Sequence, residues 1–387
     1  LARIAYISFD QVPAAKGAST HIEAFVRGLA REFGCVDLVT VGAAGGPVER
    51  WPGVRQWELP ALGASLIERV LCFRGFLTSW LAAREFETIH FRSIFEGLPI
   101  LKGHKGAALV FEVNGLPSIE LKYRYPGSED DRELMRKIEA QERACVAAAD
   151  RIVTPSRVTR EFLVGRRGAV EERVVVIPNG VDTESFRPRE RPDGPWTLLY
   201  FGTLAAWQGV DVAVRAVARA GEVHFKLRGT GSRAQADAVR RLAEKLGVAS
   251  RVAVGSSVSQ QALADELAAC HAVVAPLPWN DRNALQGCCP FKILEGMAAG
   301  RPVIASDLPV VREIGEHEEH LLLCKASSVD SLVEGIVRLR ADPELARKLG
   351  THGRGLVERR YTWETAVNAL SGVYRECLAG APALVRN

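Results

Sequence analysis

The sequence predicts an α/β protein built on parallel sheets in two domains. Three observations carry that expectation. Apolar strand-like runs alternate with amphipathic helix-like runs along almost the whole chain. The alternation stops at Glu184–Trp196, where three Pro, three Arg and a Gly follow no period, and then restarts. The 387 residues also exceed the ~100–200 that one core usually organises.

In the first half the expected strands are Ile4–Ser8, Val36–Val41, Thr88–Phe91, Ala108–Val113, Arg151–Thr154 and Val174–Ile177. Helices such as His21–Phe33 and Arg132–Ala149 lie between them. The second half repeats the rhythm with strands Thr197–Phe201, His224–Arg228, Arg251–Gly255, Ala272–Ala275, Pro302–Ala305 and His320–Leu323. No residue-level repeat links the halves. Trp363–Leu378 carries apolar residues at helical spacing, and Pro382 follows its end.

Composition narrows the function classes. Apolar residues make up 47% and charged residues 25%, an ordinary globular balance. Fifty basic against 46 acidic residues leave a net charge of +4, too even for a dedicated nucleic-acid binder. Anionic small substrates and weak attraction to an acidic membrane fit that charge. The apolar stretches Ala64–Ala82 and Leu267–Leu277 fall short of the ~20 uncharged residues of a membrane span. Arg3–Ile7 reads directly as a strand, so no signal peptide is expected, although the first residue is not Met. Eight scattered cysteines, with only Cys288 and Cys289 adjacent, read as reduced thiols in a cytoplasmic protein without a structural metal.

The segment Gly287–Asp307 is the richest in chemistry. Pro290 suits the first turn of a helix running to Ala299, and Gly300 suits a left-handed stop before a buried strand, Val303–Ala305. Free backbone N–H groups at such a helix start attract anions. Lys292 adds a positive charge in the first turn, and Glu295, one turn on, has the chemistry to grip a ribose diol. A packed, capped helix with a solvated Glu295 is the plain alternative.

The residues of this segment resemble the signature of retaining GT-B glycosyltransferases of family four, the group-one glycosyltransferases. That family ends its donor-site helix with Glu-x-Met-Ala-x-Gly-x-Pro-Val, and Glu295–Val303 reads Glu-Gly-Met-Ala-Ala-Gly-Arg-Pro-Val. Ala149–Ser156, Val176–Asp182, Leu199–Leu204 with Gln208–Asp211, and Leu227–Gly231 resemble further family stretches in order and spacing. The likeness is clear from about Asp150 to Tyr374.

The resemblance implies a GT-B fold of two Rossmann-like domains facing a cleft. Residues 1–187 would form the acceptor-side domain, with a C-terminal helix, 364–387, crossing back to it. Residues 188–363 would hold the nucleotide sugar. It implies donor contacts from Gly17, Gly202, Thr203, Gln208, Arg228, Gly229, Cys288, Cys289, Pro290, Phe291, Lys292 and Glu295. Asn114, Lys292 and Glu295 form the expected catalytic set. No metal or other cofactor is implied, because helix N-termini and basic side chains replace a cation at the diphosphate.

Three positions depart from the family. Its signature is a pair of Glu with seven residues between them, and the first of the pair falls on Gly287 in this chain. Asp281 or Gln286 is the candidate replacement. In the Gly202 loop the family's Arg and Lys are Thr203 and Gln208. Each such cation contributes about 1.5–3 kcal/mol to a diphosphate. Lys292, Arg228 and Arg282 are the candidate substitutes.

In the first half, Lys16–His21 follows the first strand and opens a helix. Gly17 permits close approach of a ligand, and Ser19 or Thr20 suits a cap. Asn114 stands where many relatives have a histidine. It can hydrogen-bond a sugar hydroxyl but not titrate. Glu112 reads as structural, in mid-strand. His21, Arg92 and Glu120 are the acceptor-side candidates, Glu120 as a base, with His90 beside Arg92. The apolar run Ser65–Arg84 reads as core packing or acceptor-pocket lining in preference to a bilayer-docking face.

The implied activity is transfer of a sugar, with retention, from a nucleoside-diphosphate donor to an acceptor hydroxyl. Uridine-diphosphate sugars are the expected donors. A glycan, a lipid-linked glycan or a small molecule is the expected acceptor, with peripheral contact at the inner membrane face. A sugar-nucleotide epimerase of the same fold and a non-catalytic binding relative are the rivals. A dehydrogenase fits worse, since Gly229-Thr-Gly231 lacks the third Gly and the later ribose acid.

Overall fold

A computed structural model describes residues 3–190 and 192–380. The chain divides into two compact units. The first holds Ala18–Pro178 with the segments before Ala15 and after Trp363, and the second holds Ala15–Gly17 and Asn179–Trp363. The Pro- and Arg-rich stretch after Glu184 therefore groups with the second unit.

The first unit is built on strands β1 (Ile4–Ile7), β2 (Val36–Val41), β3 (Val48–Trp51), β4 (Val54–Leu59), β5 (Thr88–Phe91), β6 (Ala108–Glu112), β7 (Arg151–Thr154) and β8 (Val174–Val176). Their order is β3-β4-β2-β1-β5-β6-β7-β8, parallel throughout except for the β3–β4 pair. β1, β2 and β5 are buried along their whole length. β1 reads as a continuous apolar run for that reason, whereas β2 and β5 also bury the polar Asp37, Thr40, Thr88 and His90. The sequence reading missed β3 and β4. β3 is an exposed edge strand with a register shift, so no buried alternation marks it.

Around this sheet lie α1 (Gly17–Phe33), α2 (Leu66–Ala82), α3 (Ile94–Gly103), α4 (Pro117–Arg124), α5 (Arg132–Ala148) and α6 (Arg157–Phe162). Ser65 with Glu68 and Ser93 with Glu96 form capping boxes at the starts of α2 and α3. α1 starts earlier than expected, so Ser19 is not its cap. The Ser19 hydroxyl instead accepts from the Ala14 N–H at 2.8 Å. α2 divides its apolar residues between core and solvent. Val70, Phe73, Leu77, Trp80 and Leu81 are buried, whereas Ile67, Leu71 and Phe76 are exposed.

The second unit has strands β9 (Thr197–Thr203), β10 (His224–Thr230), β11 (Val252–Ser256), β12 (Ala272–Ala275), β13 (Val303–Asp307) and β14 (Leu322–Lys325). All pairs are parallel, in the order β11-β10-β9-β12-β13-β14. The helices are α7 (Val210–Arg219), α8 (Arg233–Lys245), α9 (Gln260–Ala268), α10 (Phe291–Ala298), α11 (Pro309–Arg312), α12 (Val329–Ala341), α13 (Pro343–Arg360) and α14 (Trp363–Gly380). α10 stops where expected, with Gly300 at φ +66°. α14 belongs, after Trp363, to the first unit. Its Val367 fills the space beside Gly28, and its Tyr374 is fully buried. The expected extension of this helix to 387, with Pro382, lies outside the described residues.

The expected linker is tied down by arginines. Arg354 Nη1 donates to the carbonyls of Thr183, Phe186 and Ala298 at 3.1, 2.6 and 2.6 Å. Arg301 Nη2 donates to those of Arg189, Glu190 and Ala268.

Candidate functional site

Open parallel sheets bind ligands at the carboxyl ends of strands where the strand order reverses. In the second unit that point lies between β9 and β12. β9 runs into Gly202 and Thr203, both exposed. Just beyond, the start of α10 brings Lys292 to the same place. A Cβ on Gly202 would stand 3.6 Å from Lys292 Nζ.

Lys292 is 6% exposed. Its ammonium donates to Gln208 Oε1 and lies 4.3 Å from the centroid of the Tyr200 ring. The Tyr200 hydroxyl donates to the Thr203 carbonyl at 2.5 Å. Lys292 thus arrives from α10 at the Gln208 side chain, where the family's lysine is missing. Burial, aided by Arg282 and opposed by Cys288 and Glu295, lowers the Lys292 pKa to about 7. Glu295, half-buried one turn further on, is raised to about 7 by burial against the pull of Lys292.

The neighbouring candidates divide between this cluster and other tasks. Cys288 and Cys289 are buried, and the Cys289 carbonyl accepts from Asn179 Nδ2 at 2.7 Å. Pro290 is the residue before the helix, one position earlier than expected. The Phe291 ring fills the space a side chain at Gly17 would need, 2.9 Å from the site of its Cβ. Gly17 therefore makes room for Phe291. Gly229 likewise seats Leu204, whose Cδ2 would be 2.6 Å from an added Cβ.

Arg228, a candidate diphosphate cation, is already paired with a carboxylate. Its Nε and Nη2 bind Glu266 Oε1 at 2.7 and 2.5 Å, so its charge is balanced on α9. Arg282 stacks over Trp207 at 5.4 Å, adjacent to Gln208. Gln286 is fully buried, and the Asp281 carboxylate accepts from the Arg282 N–H. Gly287 has φ +84° and ψ 171°, a backbone region open essentially to Gly alone. That conformation explains the missing carboxylate: a Glu there would require another loop path.

In the first unit the corresponding point lies between β1 and β5. Here Glu112 corrects the sequence reading. It is the last residue of β6, 1% exposed, and its carboxylate is a hub. Oε1 accepts from Arg92 Nε at 2.8 Å and from Asn114 Nδ2, and lies 3.0 Å from His21 Nε2. Oε2 accepts from the Tyr6 hydroxyl at 2.6 Å and lies 2.9 Å from His90 Nε2. Burial alone would raise its pKa, but His21, Arg92 and the hydrogen bonds of His21 and His90 hold it well below the carboxylate range. Arg92 also pairs with Asp10 at 2.9 Å, and its N–H donates to Glu96. The Glu120 carboxylate lies over Gly115, 2.5 Å from where a Cβ would stand. Four of the expected residues, His21, His90, Arg92 and Asn114, thus meet on Glu112. Tyr6, Asp10 and Glu96 join them without any signal in the local sequence.

Among the described residues, no group of three or more His, Cys, Asp or Glu is arranged to hold a metal ion. No described helix is long and apolar enough to cross a membrane.

Two family descriptions match the chain: Glycosyltransferase Family 4 over residues 15–185, and Glycosyl transferases group 1 over residues 195–342. The chain belongs to the family-four, group-one glycosyltransferases. A D-inositol 3-phosphate glycosyltransferase of Acidothermus cellulolyticus is 31% identical over 254 residues, 60% of this chain and 55% of that protein. The match thus spans about half the length of that relative. One of the same name from Xylanimonas cellulosilytica is 27% identical over 95% of this chain and 94% of its own length. Among solved structures, a sucrose-phosphate synthase of Thermosynechococcus elongatus superposes with TM-score 0.84 at 22% identity, covering 98% of this chain and 99% of that one. An Anabaena HepE in complex with UDP-glucose gives 0.76 at 13%, covering 97% and 100%. The fold of this glycosyltransferase family member is GT-B.

Proposed function

We propose that this chain moves a sugar from a nucleoside-diphosphate donor to an acceptor hydroxyl with retention of anomeric configuration. The observation that carries the reading is the meeting of Lys292, Gln208 and Gly202 at the carboxyl end of β9, with Glu295 one turn along α10. Lys292 and the start of α10 would stabilise charge on the leaving diphosphate, and Glu295 would bind the ribose. Asn114 would hydrogen-bond the sugar, with His21, Arg92 and Glu120 on the acceptor side. In a same-face route the departing phosphate takes the acceptor proton, so the protein's work is positioning and charge stabilisation. Neither a metal nor another cofactor enters this scheme.

A uridine-diphosphate sugar is the first donor to test. GDP-mannose stands beside it, because one relative is named a GDP-mannose-dependent phosphatidylinositol monomannoside mannosyltransferase. Inositol phosphates lead the acceptor panel, since several relatives are D-inositol 3-phosphate glycosyltransferases. The test is a calorimetric titration with UDP and GDP, followed by turnover of the matching sugars with product anomers read by NMR. Binding followed by transfer to an acceptor hydroxyl with the anomer retained is the expected result. Binding of neither nucleotide would overturn the reading. Binding without transfer would favour a non-catalytic relative, and epimerisation of the donor alone an epimerase.

A further inference from the structure

Glu112 has more partners than a structural ion pair requires. Its two oxygens meet Tyr6 from β1, His21 from α1, His90 from β5, Arg92 just after β5 and Asn114 just after β6. Asp10 closes the cluster through Arg92. An ionised carboxylate only accepts, so a group hydrogen-bonded to it must donate. That condition sets the His90 tautomer. Nε2 carries the hydrogen that points at Glu112 Oε2. Nδ1, 2.9 Å from the Tyr374 hydroxyl, is left to accept from it, because a neutral imidazole has one donor and one acceptor.

Burial lowers the His90 pKa despite Glu112, in keeping with a neutral ring. The Tyr6 ring stacks on His90 with centroids 4.3 Å apart, which fixes the ring plane. Tyr374 lies on α14, 284 residues from His90. The last helix thus ends in a proton-directed chain running Tyr374 → His90 → Glu112. The groups at the other end of that chain are those assigned above to the acceptor side.

We infer that Glu112 is a positioning residue that orients His21, Arg92 and Asn114, and that Tyr374 of the last helix holds it in place through His90. The assignment of those three groups to the acceptor side rests on the proposed function, whereas their geometry around Glu112 does not. A single hydroxyl on α14 therefore sets the geometry at the carboxyl edge of the first sheet.

The experiment uses the full chain with Tyr374→Phe, Glu112→Gln and Glu112→Asp. Long-range 15N–1H spectra of the histidine rings between pH 5 and 8 should show wild-type His90 locked as the Nε2–H tautomer. Tyr374→Phe should shift the His90 Nδ1 resonance and, through Glu112, the ring of His21. Turnover is then read, with D-inositol 3-phosphate supplied as the acceptor, as UDP release from UDP-glucose and as GDP release from GDP-mannose. Tyr374→Phe and Glu112→Gln should lower kcat at least tenfold with donor KM within twofold, and Glu112→Asp should recover part of the loss. A Tyr374→Phe protein whose His21 spectrum equals wild type overturns the inference, even if its melting temperature falls. If the wild-type protein releases no nucleotide from either donor, the proposed function fails while the ring spectra still decide the positioning. Tyr374→Phe removes one oxygen only, so it keeps the test open if Glu112→Gln does not fold.

Discussion

The Lys292 ammonium lies 4.3 Å from the centroid of the Tyr200 ring, and its hydrogen-bond acceptor is the amide oxygen of Gln208. A ring face and a neutral amide offer a buried cation far less than a carboxylate does. Lys292 is thereby left close to its titration point near neutrality, short of negative charge.

An anionic diphosphate favours the protonated lysine. Donor binding should therefore take up a proton above pH 7 and weaken as pH rises from about 7 to 9. The slope should approach tenfold per pH unit, since one unit corresponds to about 1.4 kcal/mol. Lys292→Met should bind UDP or GDP about 10–100-fold more weakly at pH 7, from the charge-assisted bonds lost. Its affinity should also be nearly flat with pH. Calorimetry across pH 6–9 reads both effects, and wild-type affinity in Lys292→Met would remove the lysine from the site.

The same lysine should cost stability. Its folded pKa is lowered, so the unfolded chain binds more protons between pH 7 and the ordinary lysine value. The penalty is full below pH 7 and fades as pH rises above it. Lys292→Met should accordingly melt higher than wild type at pH 6, with a smaller advantage at pH 9, as measured by scanning calorimetry.

Glu295 should be needed for the donor and not for the fold. Glu295→Ala should raise donor KM at least tenfold with the melting temperature unchanged or higher, because burial already disfavours its charge. Steady-state kinetics with the active donor and a thermal melt test this. An unchanged KM would free Glu295 from the ribose role.

Restoring the family's first carboxylate should fail. Gly287→Glu places a Cβ on a backbone at φ +84°, ψ 171° and should cost about 1–3 kcal/mol. Urea unfolding should show the loss, with no tightening of UDP or GDP binding.

Arg354 should be a major anchor of the second unit. It donates to three carbonyls, from Thr183, Phe186 and Ala298, the last at the end of α10. Arg354→Met should destabilise by about 3 kcal/mol, the cost of stranding acceptors from a charged donor. Urea unfolding followed by tryptophan fluorescence would measure it.

The strand–helix alternation, the restart of the pattern in the second half and helix α10 with its Gly300 stop are legible in the sequence alone. Those features rest on contacts between residues within a turn or two, or on burial periods of two and 3.6 residues, which a linear reading can count. β3 escaped that reading because an exposed edge strand has no buried period to count, and β4, which lies between β3 and β2, buries only Val54 and Gln56. Only the tertiary structure decided what each charge faces. Arg228 looked free until β10 and α9 brought Glu266 to it from 38 residues away. Glu112 looked like an ordinary mid-strand acid until Tyr6, 106 residues distant, and His90 closed on it. Lys292 was legible as a cation at a helix start, but its meeting with Gln208, 84 residues away, was not. Local spacing writes helices and strands, whereas a buried charge must find its partner wherever the fold delivers one, since burying it alone costs too much.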